Sequence, residues 1–217
     1  GMGGQANTNS TLGSSNFDGT IQTTVKVNAT AGFSIISYTG TGSDGTLGHG
    51  LGVAPSIYIV KRRNSSKDWY VQIGNLAGID LGRFLKLNTA DGLAYTYINY
   101  CFSEVAGYSK FGSYTGNQNA DGTFVFLGFR PAWVLVKGTW GGNWNLFDNK
   151  RPGINVTNDR LFPNLADAET DGSPTDNQMD LLSNGFKLRG SNIDTNHSAG
   201  FIYLAFAEAP FKNARAR

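Results

Sequence analysis

Cysteine is almost absent from the 217 residues: a lone Cys101 cannot form an intrachain disulfide or supply the paired thiolates of a zinc site. A disulfide-built secreted scaffold is therefore excluded. Charge is also scarce, at 16% of residues, while aromatics reach 12%; a disordered chain would show the reverse balance. Lys and Arg exceed Asp and Glu by only +2, so no basic surplus points to nucleic acid as a partner. No apolar run approaches the roughly 20 residues of a membrane-spanning helix. The N-terminal stretch lacks a basic segment followed by an apolar one, so no signal peptide is visible. Histidine occurs twice, at His49 and His197, without the spacing of a metal signature. What is abundant is Gly (29), with 21 Asn, 18 Thr and 16 Ser. That mixture, poor in Glu and Lys, favours strands and tight turns and predicts an all-β protein.

The chain resembles itself. Gly32-Phe33-Ser34 opens a segment reaching Tyr38-Thr39-Gly40, and Gly107-Tyr108-Ser109 opens one reaching Tyr114-Thr115-Gly116. Each then carries Asp-Gly-Thr, at residues 44–46 and 121–123, and a strand-like run after proline, PSIYIVK from Pro55 and PAWVLVK from Pro131. A tryptophan follows each run, Trp69 and Trp144. The ends also match: YINYCFSEV from Tyr97 with FIYLAFAEA from Phe201, which sets Cys101 against Ala205. The longer offset at the ends places an insertion in the second unit, within residues 150–185. Units this long do not build a solenoid. They predict one pseudo-symmetric β domain over residues 16–212, with unit one at 32–106 and unit two at 107–209, after a flexible lead-in at 1–15.

Short runs of β-branched and aromatic residues between Gly, Asn and Asp turns predict strands at Thr20–Val27, Phe33–Tyr38, Ile57–Arg62, Trp69–Ile73, Phe84–Leu87 and Tyr95–Glu104. Unit two offers Ser109–Tyr114, Thr123–Phe126, Trp133–Lys137, Asn145–Phe147, Phe186–Arg189 and Phe201–Glu208. Their spacing predicts an antiparallel β-sandwich of jelly-roll or lectin-like type, with roughly ten to twelve strands. One short helix is expected inside the insertion, Gln178–Ser183, capped by Thr175-Asp176-Asn177 and stopped by Asn184-Gly185.

Candidate chemistry is sparse. Glu104 and Glu208 are repeat-equivalent acids, and a glycosidase uses two carboxylates, but duplication alone accounts for them. No Gly-x-Ser-x-Gly elbow is present, and the glycine-rich run 45–52 lacks the Lys-Ser/Thr of a phosphate loop. His49 is expected to bond a turn in that run, and Cys101 to be a small buried residue. The acids Asp167, Glu169, Asp171, Asp176 and Asp180 lack EF-hand spacing, so a solvated insertion is expected, with an oxygen-ligand calcium site as the alternative. No other cofactor is expected. Aromatics beside amides give the remaining lead: Trp69 and Tyr70 near Asn64–Asp68, and Trp140 and Asn143 near Asp148 and Asn149. Flat apolar rings stack on sugar faces while amides and carboxylates bond hydroxyls. Trp69 and Trp144, being repeat-equivalent, are also expected to serve the core, which leaves the Gly138–Asn145 loop with Trp140 as the stronger ligand site.

The run GFSIISYTGTGSDGTLGHGLGVAPSIYIVK, followed in order by GYSKFGSYTG, GFRPAWVLVK, FDNKRPG, LLSNGFKLRG and YLAFAEAPFK, resembles tail or tail-fibre-like structural proteins of marine bacteriophages over about residues 16–212. The resemblance implies a non-enzymatic virion module, located in the phage tail and exposed to the medium, whose partners are other virion proteins. It transfers no catalytic residue. Combined with the aromatic lead, it predicts adhesion to host cell-surface glycans, and fibre proteins of this kind imply a homo-oligomer. A glycan hydrolase or lyase with a β-sandwich groove, and a purely structural decoration protein, are the alternative readings.

Overall fold

The computed structural model describes residues 14–73, 84–87, 93–151, 155, 157–169 and 179–208. The chain divides into two compact units, Gly1–Val105 and Ala106–Arg217. The tail from residue 209 and the acids Asp171 and Asp176 lie outside the described residues. No helix described is long and apolar enough to cross a membrane.

Unit one holds β1 (Ser14–Asn16), β2 (Thr23–Asn28), β3 (Phe33–Thr41), β4 (Gly45–Gly48), β5 (Ile57–Arg62), β6 (Tyr70–Ile73), β7 (Phe84–Leu87) and β8 (Leu93–Phe102). Its large antiparallel sheet runs β1-β2-β3-β8-β5-β6, and β4 pairs with β7 in a second sheet. Strand alternation sends Val25, Ile36, Tyr38, Tyr58, Val60, Tyr97 and Cys101 to one face. There they meet Leu47 of β4 in a single core cluster. Ser14 and Ser15, expected in the lead-in, instead pair with β2. Asn16 explains the start: it is buried, and its Oδ1 accepts from Asp18 N at 2.7 Å.

Unit two holds β9 (Ser109–Thr115), β10 (Phe124–Phe126), β11 (Pro131–Gly138), β12 (Asn145–Asp148), β13 (Met179–Leu182), β14 (Gly185–Leu188), α1 (Ile193–Asn196) and β15 (Gly200–Ala207). The sheets run β12-β11-β15-β9 and β10-β14-β13, all neighbours antiparallel. Phe147, Phe201, Tyr203 and Val134 from the first pack against Val125, Met179, Leu181 and Phe186 from the second. Each unit is thus a two-layer β-sandwich.

The repeat survives at the level of hydrogen-bond register. Cys101 lies between Ser34 and Tyr58 in unit one; Ala205 lies between Lys110 and Val134 in unit two. The order β3-β8-β5-β6 matches β9-β15-β11-β12, and the β4/β7 pair matches β10/β14. Even a cross-strand aromatic pair recurs. Tyr38 stacks on Tyr97 at 5.0 Å and 12°, and Tyr114 on Phe201 at 5.1 Å and 9°.

The helix is where expectation and structure part. Residues Met179–Leu182 form β13, turning through Ser183-Asn184 into β14. Asn-Gly after an apolar run serves helix stops and hairpins alike. Pairing decides it: Met179 also bridges Thr157, and burying Met179, Asp180 and Leu181 in succession needs a strand covered on both sides. Gly185 is required by close approach, since a Cβ there would lie 2.1 Å from the Val125 carbonyl oxygen. The helix that does form, α1, is one turn lying beyond the insertion, with the Asn192 side chain accepting from Asp194 N at 2.8 Å.

Cys101 is fully buried, as its alignment with Ala205 predicts, and burial pushes its thiol far above the ordinary range. Native protein is therefore expected to resist a thiol reagent that modifies the denatured chain to completion. Rapid stoichiometric labelling of native protein would place the thiol at an accessible surface.

Candidate functional site

In unit two, β11 ends in Lys137-Gly138 and the chain turns through Thr139-Trp140-Gly141-Gly142 before Asn143. Thr139 anchors the turn with both its N–H and Oγ1 donating to Gly200 O, each at 3.0 Å. Lys137 Nζ folds back and donates to the carbonyls of Gly138 (3.2 Å), Gly141 (2.6 Å) and Gly142 (3.0 Å). Burial lowers the pKa of this ammonium, with the Asp194 charge opposing. Gly142 has φ 75°, a conformation open to glycine at little cost.

The same Gly142 creates a gap. A Cβ there would lie 2.7 Å from Asp194 Oδ1 and 3.7 Å from Trp140 Cη2, so the indole and the carboxylate converge over a bare backbone. Trp140 is 46% exposed; its Nε1 edge lies over Gly138, where a Cβ would come within 2.9 Å, and the His197 ring is tilted against it at 53° with centroids 5.6 Å apart. The Asp194 carboxylate is half-buried and makes no hydrogen bond among the described residues.

Beneath the loop a buried amide network sets its position. Asn145 Nδ2 donates to Asn143 O (2.9 Å) and Asp194 O (3.2 Å), tying the loop to α1. Arg160 Nη1 donates to Asn145 Oδ1 at 2.9 Å. Burial lowers the Arg160 pKa, and Asp194 again opposes. Asn143 Oδ1 accepts from Asn164 Nδ2 at 3.1 Å, which leaves Asn143 Nδ2 as a donor. An exposed indole and an amide donor on one fixed loop, with an unbonded carboxylate brought beside the indole by α1, suit a ligand with an apolar face and hydroxyl edges.

Trp140 and Asn143 lie on one loop, but Asp148 and Asn149 do not join it. Asp148 pairs with Trp133, and Asn149 N donates to Ala132 O, at the opposite end of the β11–β12 ladder from Asn145. Burial raises the Asp148 pKa, and bonds from Arg151 and from the Lys150 and Arg151 backbone outweigh it, so the carboxyl stays below its ordinary value. It is a turn anchor, held by Arg151 Nη2 at 2.6 Å.

Trp69 and Tyr70 form a separate patch in unit one. Trp69 is 56% exposed and Tyr70 55%, which corrects the expectation that Trp69 serves the core; Trp144 is only half-buried. The reason is position. Tyr70 opens β6, the edge of the large sheet, and Trp69 directly precedes it, stacking on Tyr100 at 6.5 Å with Lys61 Nζ 5.6 Å from its ring.

The other candidates resolve locally. His49 is buried and its Nδ1 accepts from Leu51 N at 3.2 Å. Glu104 and Glu208 are exposed, each beyond the end of its strand, with Lys150 at 3.6 Å from Glu208. Asp180 is paired to Arg189 and Glu169 to Arg151, and no metal-binding group of three acids, histidines or cysteines gathers among the described residues. Asp194 and Arg160 carried no signal in sequence, because α1 and the insertion bring them to the loop from far along the chain, whereas Lys137 adjoins it at the end of β11.

No curated protein and no solved structure matches the chain. The family model of a domain of unknown function, DUF7483, matches it twice, over residues 6–96 and 86–210, and so the chain belongs to that family.

Proposed function

We propose that this protein is a non-enzymatic module of a phage virion, tail-fibre-like, that attaches to host-surface glycans through the Trp140 loop. One observation carries the reading: an exposed indole held over Gly142 beside the unbonded Asp194 carboxylate. Stacking an apolar sugar face on the ring buries area on both partners, and Asp194 and Asn143 then supply an acceptor and a donor for equatorial hydroxyls. The virion setting is supported by the resemblance of the repeat motifs to tail proteins.

A glycan array, run with and without calcium, tests it. Binding is expected, and Trp140→Ala is expected to weaken it at least about tenfold, the loss of one central aromatic anchor. Binding unchanged by that substitution removes the loop from the site. No binding at high protein concentration removes adhesion and leaves a structural role.

A further inference from the structure

Unit one holds a cleft of ≈ 500 Å³ at the end of its large sheet, where β2 begins, β3 ends and β8 begins. Its size lies within the roughly 300–1,000 Å³ of small-molecule sites. Seven of its eleven lining residues are Ser or Thr, and none is acidic. Pairing organises the hydroxyls: Thr24 faces Ser37 across β2 and β3, and Thr39 faces Thr96 across β3 and β8. Directly paired residues project to one side of a sheet about 5 Å apart. Beside Thr96 stands Arg63, whose N–H donates to Thr96 O at 2.8 Å.

These groups are free to bind. Thr20 Oγ1 is used by Thr46 N and Thr41 Oγ1 by Ser43 O. By contrast the side chains of Thr24, Ser37, Thr39 and Thr96 make no hydrogen bond among the described residues, and Arg63 makes no ion pair there. A hydroxyl both donates and accepts, as each vicinal sugar hydroxyl does, so a paired rank of them matches one sugar edge. A guanidinium is donor-only and grips a carboxylate through two parallel bonds. A bare inorganic anion would take the hydroxyls only as donors and leave their acceptor capacity unused; a neutral sugar would leave the Arg63 charge without a counter-charge.

We infer that this cleft is a second ligand site, taking a monosaccharide-sized acidic sugar with its carboxylate on Arg63 and its hydroxyls on the Thr39–Thr96 and Thr24–Ser37 pairs. The site stands on unit one alone and does not depend on the Trp140 loop.

Amide chemical shifts of the full chain, titrated separately with glucuronate, glucose and inorganic sulfate, test it. Glucuronate is expected to shift the amides of Thr24, Ser37, Thr39 and Thr96, with sulfate and glucose weaker. Arg63→Gln is expected to weaken glucuronate at least about tenfold, the loss of a charge-assisted pair, and Thr39→Val to weaken it while leaving the rest of the spectrum unchanged. Trp140→Ala should leave these shifts in place, so failure here and failure of the Trp140 site are read separately. Sulfate binding as well as glucuronate at the same amides, glucose binding as well as glucuronate with Arg63→Gln silent, or shifts confined to residues 139–143 would each overturn the inference.

Discussion

Phe186→Ala is expected to destabilise the protein by about 3–5 kcal/mol, the range for removing a buried aromatic from a packed core. Phe186 is fully buried in β14 and packs its edge against two rings of the opposite sheet, Tyr114 at 6.0 Å and 79° and Tyr203 at 5.6 Å and 76°. Deleting the ring removes apolar burial and two favourable aromatic geometries together, each worth about 0.5–1.5 kcal/mol beyond area. Its strand neighbours cannot fill the space, because Val125 and Leu181 are already buried at their own positions on either side. Since a domain's whole stability is about 5–15 kcal/mol, the variant should sit near the edge of folding. Denaturant unfolding followed by tryptophan fluorescence reads the change, with Phe126→Ala, 57% exposed, as a control expected within about 0.5 kcal/mol of the parent. A Phe186 loss below about 1 kcal/mol would mean that the two sheets of unit two do not meet through this ring.

Alkaline pH is expected to destabilise the protein steeply. Burial raises the pKa of Tyr38, Tyr58, Tyr114 and Cys101. In Tyr58 it acts first, and the neighbouring Tyr70 and Cys101 add to it, bringing the phenol to about 12 from 10.0. A group whose folded value lies above its unfolded value binds its proton more tightly in the fold. Its contribution is complete below the unfolded value, 9.0 for the thiol and 10.0 for the phenols, and declines as pH rises past it. For Tyr58 the window runs from 10.0 to about 12, and the loss is on the order of 2 kcal/mol. The other three add to the slope in the same direction. The denaturation midpoint should therefore fall continuously above about pH 9, with Tyr58→Phe flattening part of the fall. Tyrosinate absorbance should show part of the nine tyrosines ionising only as the chain unfolds. A midpoint constant between about pH 8 and about pH 11 would contradict the burial of these hydroxyls.

Legibility varied along the chain for physical reasons. The run Ile57–Arg62 reads as a strand in sequence and is β5 residue for residue, because β-branched and aromatic residues mark a pleated, half-buried surface by themselves. The stretch Gly45–Gly48 reads as a turn yet is β4. Its glycines answer neighbours distant in sequence: a Cβ at Gly48 would lie 2.5 Å from the Asp18 Cβ, and one at Gly45 2.6 Å from Ile21 Cδ1. Met179–Leu182 carries helix formers and a plausible stop, but its partners Thr157 and Gly185–Leu188 impose a strand. Trp140 stands out in sequence through its flanking glycines. Its partner Asp194 arrives only when α1 follows β14 back to β11.

Composition and internal likeness were therefore enough to determine an all-β sandwich class, the duplication and the burial of Cys101. These properties follow from local propensity and from a register written twice along the chain. Which tryptophans face out, whether Met179–Leu182 coils or extends, and which acid stands beside Trp140 were decided only by tertiary structure. Each depends on a side chain or backbone atom brought close from far along the chain, and such proximity leaves no mark on the residues around it.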